Sequence, residues 1–374
     1  MLLELFNLRS GAVLDRSFGR ETDEFLEITV QGLADADSYV TVDGVPADRA
    51  GRQFTCKARL KERISRLAIA SSGQSGELVH HVTLLWDKKA FKRYNFALDD
   101  NVFFLTDIAR QRPGSLFDHF YLAALRDIHR RHGTCFTLNC FYRNDHDGFE
   151  IKDFPDDYKA EFEDNADWLR LAFHAYSEFP DRPYQQASGE KLAADYELLS
   201  SEILRFAGER TLIAPTNIHW AMTSQDNLHV LRKCGMKVNT ASFITPLGAA
   251  DDRRPEARPC DVGLFYDRDV AEYLDSHHVF YDRVHDMILA TDTIICNLLP
   301  IDMIAPEMDR LLIRNPYYST TFGLLSHEQY SFSYYPNYIP DHLARLETAA
   351  RHAEEAGYRP VFFATGLLGN TAWD

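Results

Sequence analysis

After residue 93 one unit recurs along the chain: a polar cap, an amphipathic helix, a glycine, then an apolar run. Ser115 opens a helix carrying Phe117, Phe120, Leu125 and Ile128, which ends at Gly133 before TCFTLNCFY. Ser188 opens the next, with Leu192, Tyr196, Leu199 and Ile203, ending at Gly208. Ser224 opens a third, with Leu228 and Leu231, ending at Gly235 before MKVNTASFI, and Asp341 a fourth, with Leu343, Leu346 and Ala350, ending at Gly357 before YRPVFF. In each unit the cap oxygen satisfies an orphan backbone N–H, and glycine adopts the left-handed turn that stops the helix. Helices alternating with buried strands make βα units, hence an α/β fold with a mostly parallel sheet or barrel. Residues 94–374 leave room for a distorted (β/α) barrel of seven or eight strands.

The first 90 residues read differently. FLEITV (25–30), YVTVDGV (39–45), FTCKARL (54–60), RLAIASS (66–72) and ELVHHVTLLW (77–86) are short, alternating or β-branched, and separated by Gly or Asp. Five such segments suggest a small all-β sandwich. The stretch YVTVDGVPADRAGRQFTCKARLKERISRLAIASS resembles the small immunoglobulin-like domains attached to bacterial carbohydrate enzymes. With WDKKAFKR as linker, the expected division is a sandwich over residues 1–90 and a barrel over 91–374.

A length of 374 residues suits two domains or one large barrel with an attachment. The formal net charge of −16 argues against nucleic acid or an anionic membrane as the main partner, since both need a basic face. No run of about 18 apolar residues marks a membrane span. The N-terminus MLLELFNLRSGAVLDRS carries Glu4, Arg9 and Asp15 and lacks the apolar core of an export signal, so a cytoplasmic location is expected. The six cysteines form no CxxC and read as scattered thiols in a reducing compartment. The acidic stretch 144–168 reads as a solvated loop and helix face.

In a parallel α/β fold, functional side chains gather where strands end. YNFAL (94–98) runs into Asp99 and Asp100, which point different ways; one can bind a cation while the other accepts a proton. The plainer reading is a turn with a helix cap. WLRLAF ends at His174, and four residues on stands Glu178. If the chain turns helical there, both reach one ion, and imidazole with carboxylates suits zinc or another divalent first-row metal. A third run, TTFGLLSHEQY (320–330), ends in His327 and Glu328, and histidine suits proton delivery near neutral pH. In APTNIHWAMTS (214–224), His219 and Trp220 stand at a loop mouth, where aromatic rings either stack on sugar faces or simply pack.

This order of strand-end groups resembles the polysaccharide deacetylase family, the NodB-like carbohydrate esterases. In FALDDN (96–101) the resemblance makes Asp99 the general base and Asp100 a metal ligand. HAYSE (174–178) matches the family's His-small-x-x-His spacing, with His174 a ligand and Glu178 standing in for the second histidine. IAPTNIHWAMTSQDNLHVLRKCGMKV (213–238) is similar to the third motif without its arginine, and VNTASFITPLG shows no counterpart of the fourth. GLLSHE (323–328) resembles the last motif, making His327 the general acid. The resemblance spans roughly residues 94–364.

It implies hydrolysis of an N- or O-linked acetyl group on a carbohydrate, such as a surface-polysaccharide intermediate, assisted by a divalent ion: zinc first, with manganese, iron, cobalt or nickel as alternatives. His219, Trp220, Tyr184 and Glu328 are the expected substrate contacts. With two carboxylates among its three ligands the ion would be a weakened Lewis acid. Two other readings stand beside this one: a non-catalytic carbohydrate-binding protein on a degenerate barrel, and a metal-independent glycosidase using two of Asp99, Asp100 and Glu178.

Overall fold

A computed structural model describes residues 2–74, 76–241, 268–314 and 320–374, with the side chains of residues 268, 275, 313 and 314 left aside. The chain forms two compact units: residues 1–90 with 279–286 and 370–374, and residues 91–278 with 287–369. Both return to earlier partners after long excursions, so neither is one continuous stretch.

The first unit holds two sheets. One joins β1 (Leu3–Leu5), β4 (Leu26–Ala34), β8 (Gln53–Leu60) and β7 (Asp48–Ala50), with β3 (Gly19–Glu21) beside β4. The other runs β2 (Val13–Leu14), β10 (Gly76–Trp86), β9 (Ile64–Gly73), β5 (Tyr39–Val42), β6 (Val45–Pro46). All pairs are antiparallel except β2 with β10. The five expected segments are β4, β5, β8, β9 and β10; the remainder of the two sheets are strands of two or three residues with no readable alternation. Strict alternation marks β4, whose Leu26, Ile28, Val30, Gly32 and Ala34 are buried while the residues between are less so. Phe280, in β15 (Val279–Asp282), fills the space a side chain at Gly11 would need, and the left-handed φ of +94° there demands glycine as well.

The second unit is α/β. Six parallel strands run β13 (Leu169–Ala175), β12 (Phe136–Phe141), β11 (Arg93–Asn101), β17 (Thr321–His327), β16 (Met287–Ile295), β14 (Val238–Ala241), with β18 (Arg359–Pro360) beside β11. Every residue of β11 is buried, as expected of a central parallel strand covered on both faces. Of the distorted barrel of seven or eight strands expected, the structure shows a curled parallel sheet, and among the described residues β13 and β14 do not pair with each other. The chain after β13 continues this edge only by a single parallel bridge, Leu171 to Leu212.

The cap–helix–glycine units take the expected form. Ser115 caps a short turn leading into helix Phe120–His132, which stops at left-handed Gly133; Ser188 and Ser224 accept from Lys191 N and Asn227 N of their helices. Asp341 differs: its carboxylate makes no cap bond and pairs with Arg345. The acidic stretch 144–168 is not simply solvated, since Ile151, Phe154, Phe162 and Trp168 are buried. Of the cysteines, Cys56, Cys135, Cys140, Cys234 and Cys296 are free thiols; Cys260 lies outside the described residues. Among the described residues no helix is long and apolar enough to cross a membrane.

Two buried histidines tie stability to pH. His342 is held between Ser326 Oγ at 2.7 Å and Ser331 Oγ at 2.6 Å. Burial pulls its pKa down to about 3, and does the same at His278, also to about 3. Both rings fold neutral, whereas the unfolded chain takes up their protons near pH 6.5. The stabilisation is therefore complete above about pH 6.5 and is lost as pH falls toward 3. From pH 6.5 to 5 each ring should cost about 2 kcal/mol. In urea unfolding, His342→Gln is expected to lose about 2 kcal/mol less than the unaltered protein between pH 7 and 5; an equal change in both would contradict this account.

Candidate metal centre

The site gathers at the carboxyl edge of the curled sheet. Between Leu98 and Asn101 the register of β11 against β12 shifts, and Asp100 sits in the left-handed region at φ 62°. A bulge of this kind turns two adjacent side chains off the regular alternation, and aspartate tolerates the left-handed backbone better than most residues. Asp99 and Asp100 thereby face one cavity of about 410 Å³, which His174, Asn217, His219, Trp220, Asp292 and His327 also line.

Three atoms form a near-equilateral triangle: Asp100 Oδ1 lies 3.2 Å from His174 Nε2 and 3.3 Å from His219 Nδ1, and the two nitrogens are 3.3 Å apart. All three residues are buried and together could hold a metal ion. A tetrahedral ion with bonds of about 2.05 Å needs ligand atoms about 3.35 Å apart, and the spacing of these donors matches that. Asp100 Oδ1 has no hydrogen-bond partner among the described residues, while Oδ2 accepts from Gln329 Nε2 at 2.8 Å. One oxygen is thus anchored and the other free to ligate. Phe141 packs edge-on against the His219 ring and at a tilt against His174, keeping water away from their flanks.

The electrostatics follow from this enclosure. Burial opposes charge on Asp100, but the close approach of the His174 and His219 imidazoles outweighs it and holds the carboxyl well below the usual range. At His174 burial favours the neutral ring, yet Asp99 and Asp100 raise its proton affinity above the ordinary value. A cation is what two imidazoles against a buried carboxylate would take in place of a proton.

Asp99 has a separate setting. Its Oδ1 accepts from Asn139 Nδ2 and its Oδ2 from Asn217 Nδ2, each at 2.7 Å. Both oxygens act as acceptors, as a carboxylate's must, and each keeps a second lone pair. Across the cavity, His327 at the end of β17 has its Nδ1 2.9 Å from Asn297 Oδ1. That contact puts a proton on Nδ1 and leaves Nε2 for exchange. Asp292 on β16 is the third buried carboxyl of the cavity; burial first, then the charge of Asp99, push its pKa well up.

Several expected positions change. Glu178 does not complete the triangle: its Oε2 takes His146 Nε2 at 2.6 Å. Residues 176–188 form bends and turns rather than a helix, so the i, i+4 geometry that would turn Glu178 toward His174 never forms. His219, expected to contact substrate, stands in that place. Glu328 is fully buried and accepts from Val102 N at 2.6 Å, Phe103 N at 2.8 Å and Phe104 N at 2.6 Å. It caps α1 (Phe103–Gln111), whose own N-cap residue offers no side-chain bond, and does not line the cavity. Tyr184 is likewise buried, donating to Asp195 Oδ2 and accepting from Tyr176 N, both at 3.0 Å. Trp220 does line the cavity, 38% exposed, with the Arg182 guanidinium 4.5 Å from its ring centre.

Sequence reasoning missed the amides Asn139, Asn217, Asn297 and Gln329, and the partner of Glu178, His146. Nothing in their spacing marks them; each is drawn in by tertiary approach. Part of the segment searched for the fourth motif, from residue 242 onward, lies outside the described residues.

No known protein family matches the chain, and no curated sequence matches it. Among solved structures the chain is similar to the Bc1960 peptidoglycan N-acetylglucosamine deacetylase, with 10% identity over 74% of this chain and 89% of that one, at a TM-score of 0.39. It is also similar to a Bacteroides ovatus GH5 xyloglucanase (8% identity, 94% and 99% covered, TM-score 0.33). A third is an alpha-galactosidase described as putative, from Bacteroides fragilis (9% identity, 95% and 80% covered, TM-score 0.27).

Proposed function

We propose that this chain is a metal-dependent hydrolase that removes an acetyl group from a carbohydrate. The observation that carries the reading is the triangle of Asp100 Oδ1, His174 Nε2 and His219 Nδ1, its edges within about 0.15 Å of those of a tetrahedral zinc site. The order of groups along the sequence, Asp-Asp, then His, then His327, supports it through the resemblance already described.

A bound ion would supply Lewis acidity to the attacking water and to the acyl oxygen. One carboxylate and two imidazoles leave a divalent ion one net positive charge. His219 in place of Glu178 therefore removes the reason to expect a weakened Lewis acid, and zinc is the ion the donor set suits best. Asp99 accepts one proton from the water as its oxygen bonds to the acetyl carbon. Asn139 and Asn217 hold that carboxylate in place. His327, its Nδ1–H held by Asn297, enters with a second proton on Nε2 and gives it to the departing sugar nitrogen or oxygen as the bond to the acetyl carbon breaks. The products are the free amine or hydroxyl and acetic acid, which carries the water's second proton and ionises in solvent; the proton on Asp99 then makes good the one His327 gave. The indole of Trp220 offers a face for the sugar ring.

A non-catalytic binder would have no use for a carboxylate held by two amide donors beside the triangle. The glycosidase reading drew on two of Asp99, Asp100 and Glu178, of which Asp100 faces two imidazoles and Glu178 is bonded to His146.

Purified protein dialysed against zinc is expected to retain about one ion per chain and to release acetate from an acetylated chromogenic sugar. A chelator should stop the release and zinc restore it. Absence of any affinity for divalent ions would end this reading.

A further inference from the structure

A second cavity of about 430 Å³ adjoins the metal centre, and nothing in the proposed chemistry uses it. The two share Tyr335, and the hydrogen-bonded pair His146–Glu178 stands between them, His146 lining the second and Glu178 the first. Its floor is aromatic. Phe103 and Tyr334 stack with centres 5.8 Å apart and planes 14° from parallel, and Tyr334 is 59% exposed.

The polar groups around that floor are charged, and each already has a partner. Arg110 Nη1 pairs with Asp147 Oδ2 at 2.8 Å, and Asp107 Oδ1 accepts from Tyr334 Oη at 3.2 Å. A phosphate or carboxylate would have to compete with Asp147 for the guanidinium and face Asp107 besides. An ammonium would face Arg110. Carboxylates with spare lone pairs and a guanidinium with further N–H groups instead suit hydroxyl groups, which both donate and accept. The exposed tyrosine presents a negative ring face to the slightly positive C–H edge of a sugar ring.

We propose that this cavity binds a neutral sugar unit next to the one carrying the acetyl group, so that the substrate is an oligo- or polysaccharide and not a monosaccharide. The inference rests on the proposed function, because it takes the metal centre as the place where the acetylated unit sits. Tyr334 is the platform, and Asp107, Arg110 and Asp147 meet the hydroxyls.

The test uses chelator-treated protein and two probes, N-acetylglucosamine and its β-1,4-linked tetramer, in calorimetric titrations that need no turnover. The tetramer is expected to bind at least tenfold more tightly than the monomer. Tyr334→Ala should lose most of that preference with monomer binding unchanged, and Tyr334→Phe should keep it; melting curves check that each variant is folded. Equal binding of the two probes, no binding of either, or full preference in Tyr334→Ala would each overturn the proposal. Acetate release from the same probes by the zinc-loaded protein separates the two readings. Preference without acetate release sinks the hydrolase and keeps the sugar cavity, whereas acetate release without preference does the reverse.

Discussion

Replacing Asp99 by asparagine is expected to lower acetate release roughly a hundredfold to ten-thousandfold while leaving the ion in place. The triangle does not include Asp99; its nearest approach is Oδ2 to His174 Nε2 at 3.9 Å. Loss of the carboxylate removes the proton acceptor and spares the ligands. The substitution also sets an amide N–H₂ against either Asn139 or Asn217, both of which donate to Asp99. A stability cost of about 1–3 kcal/mol should accompany it. Metal content measured beside turnover decides the matter. If the variant loses its ion together with activity, Asp99 belongs to the ligand set and the separation of base from ligands is wrong. If activity survives, Asp99 is not the base.

The second large effect distinguishes His219 from Glu178. Structural zinc sites bind with apparent energies of about 10–16 kcal/mol over four ligands. Removing one of three protein ligands should therefore weaken binding by about 3 kcal/mol, more than a hundredfold in affinity. His219→Ala is expected to show that loss. Glu178→Ala should change affinity by less than about tenfold, since the carboxylate bonds to His146 outside the triangle. Competition with a chromogenic zinc chelator gives both constants on one scale. The reverse ranking would return Glu178 to the ligand set.

Much of the architecture was legible because it depends on local rules. The alternation in residues 26–34 and the Ser-helix-Gly units at 188–208 and 224–235 need no knowledge of the rest of the chain. Asp99, Asp100, His174 and His327 were visible for a related reason: each follows a run of apolar residues, and a polar group at the end of a buried parallel strand stands out. What was illegible depends on approach between distant segments. Asn217 meets Asp99 across 118 residues, Gln329 meets Asp100 across 229, and Glu328 caps α1 across about as many. An amide has no spacing signature, and a glutamate beside a histidine reads as a site group whether it faces the cavity or a helix end. His219 was read as a sugar contact, whereas its ring stands beside Asp100 and His174. The His174-x-x-x-Glu178 spacing offered a simpler ligand, and only the bends after Ala175 remove it.

The first compact unit is assembled from three separate stretches, 1–90, 279–286 and 370–374, so the backbone passes between units four times. Trp373 packs edge-on to Trp86 and donates to its carbonyl oxygen, and Tyr281 N donates to Gly11 O. Shortening the gene at either end would strip partners from residues hundreds of positions away. Anyone wishing to express the second unit alone must splice out an internal loop as well as trim both termini.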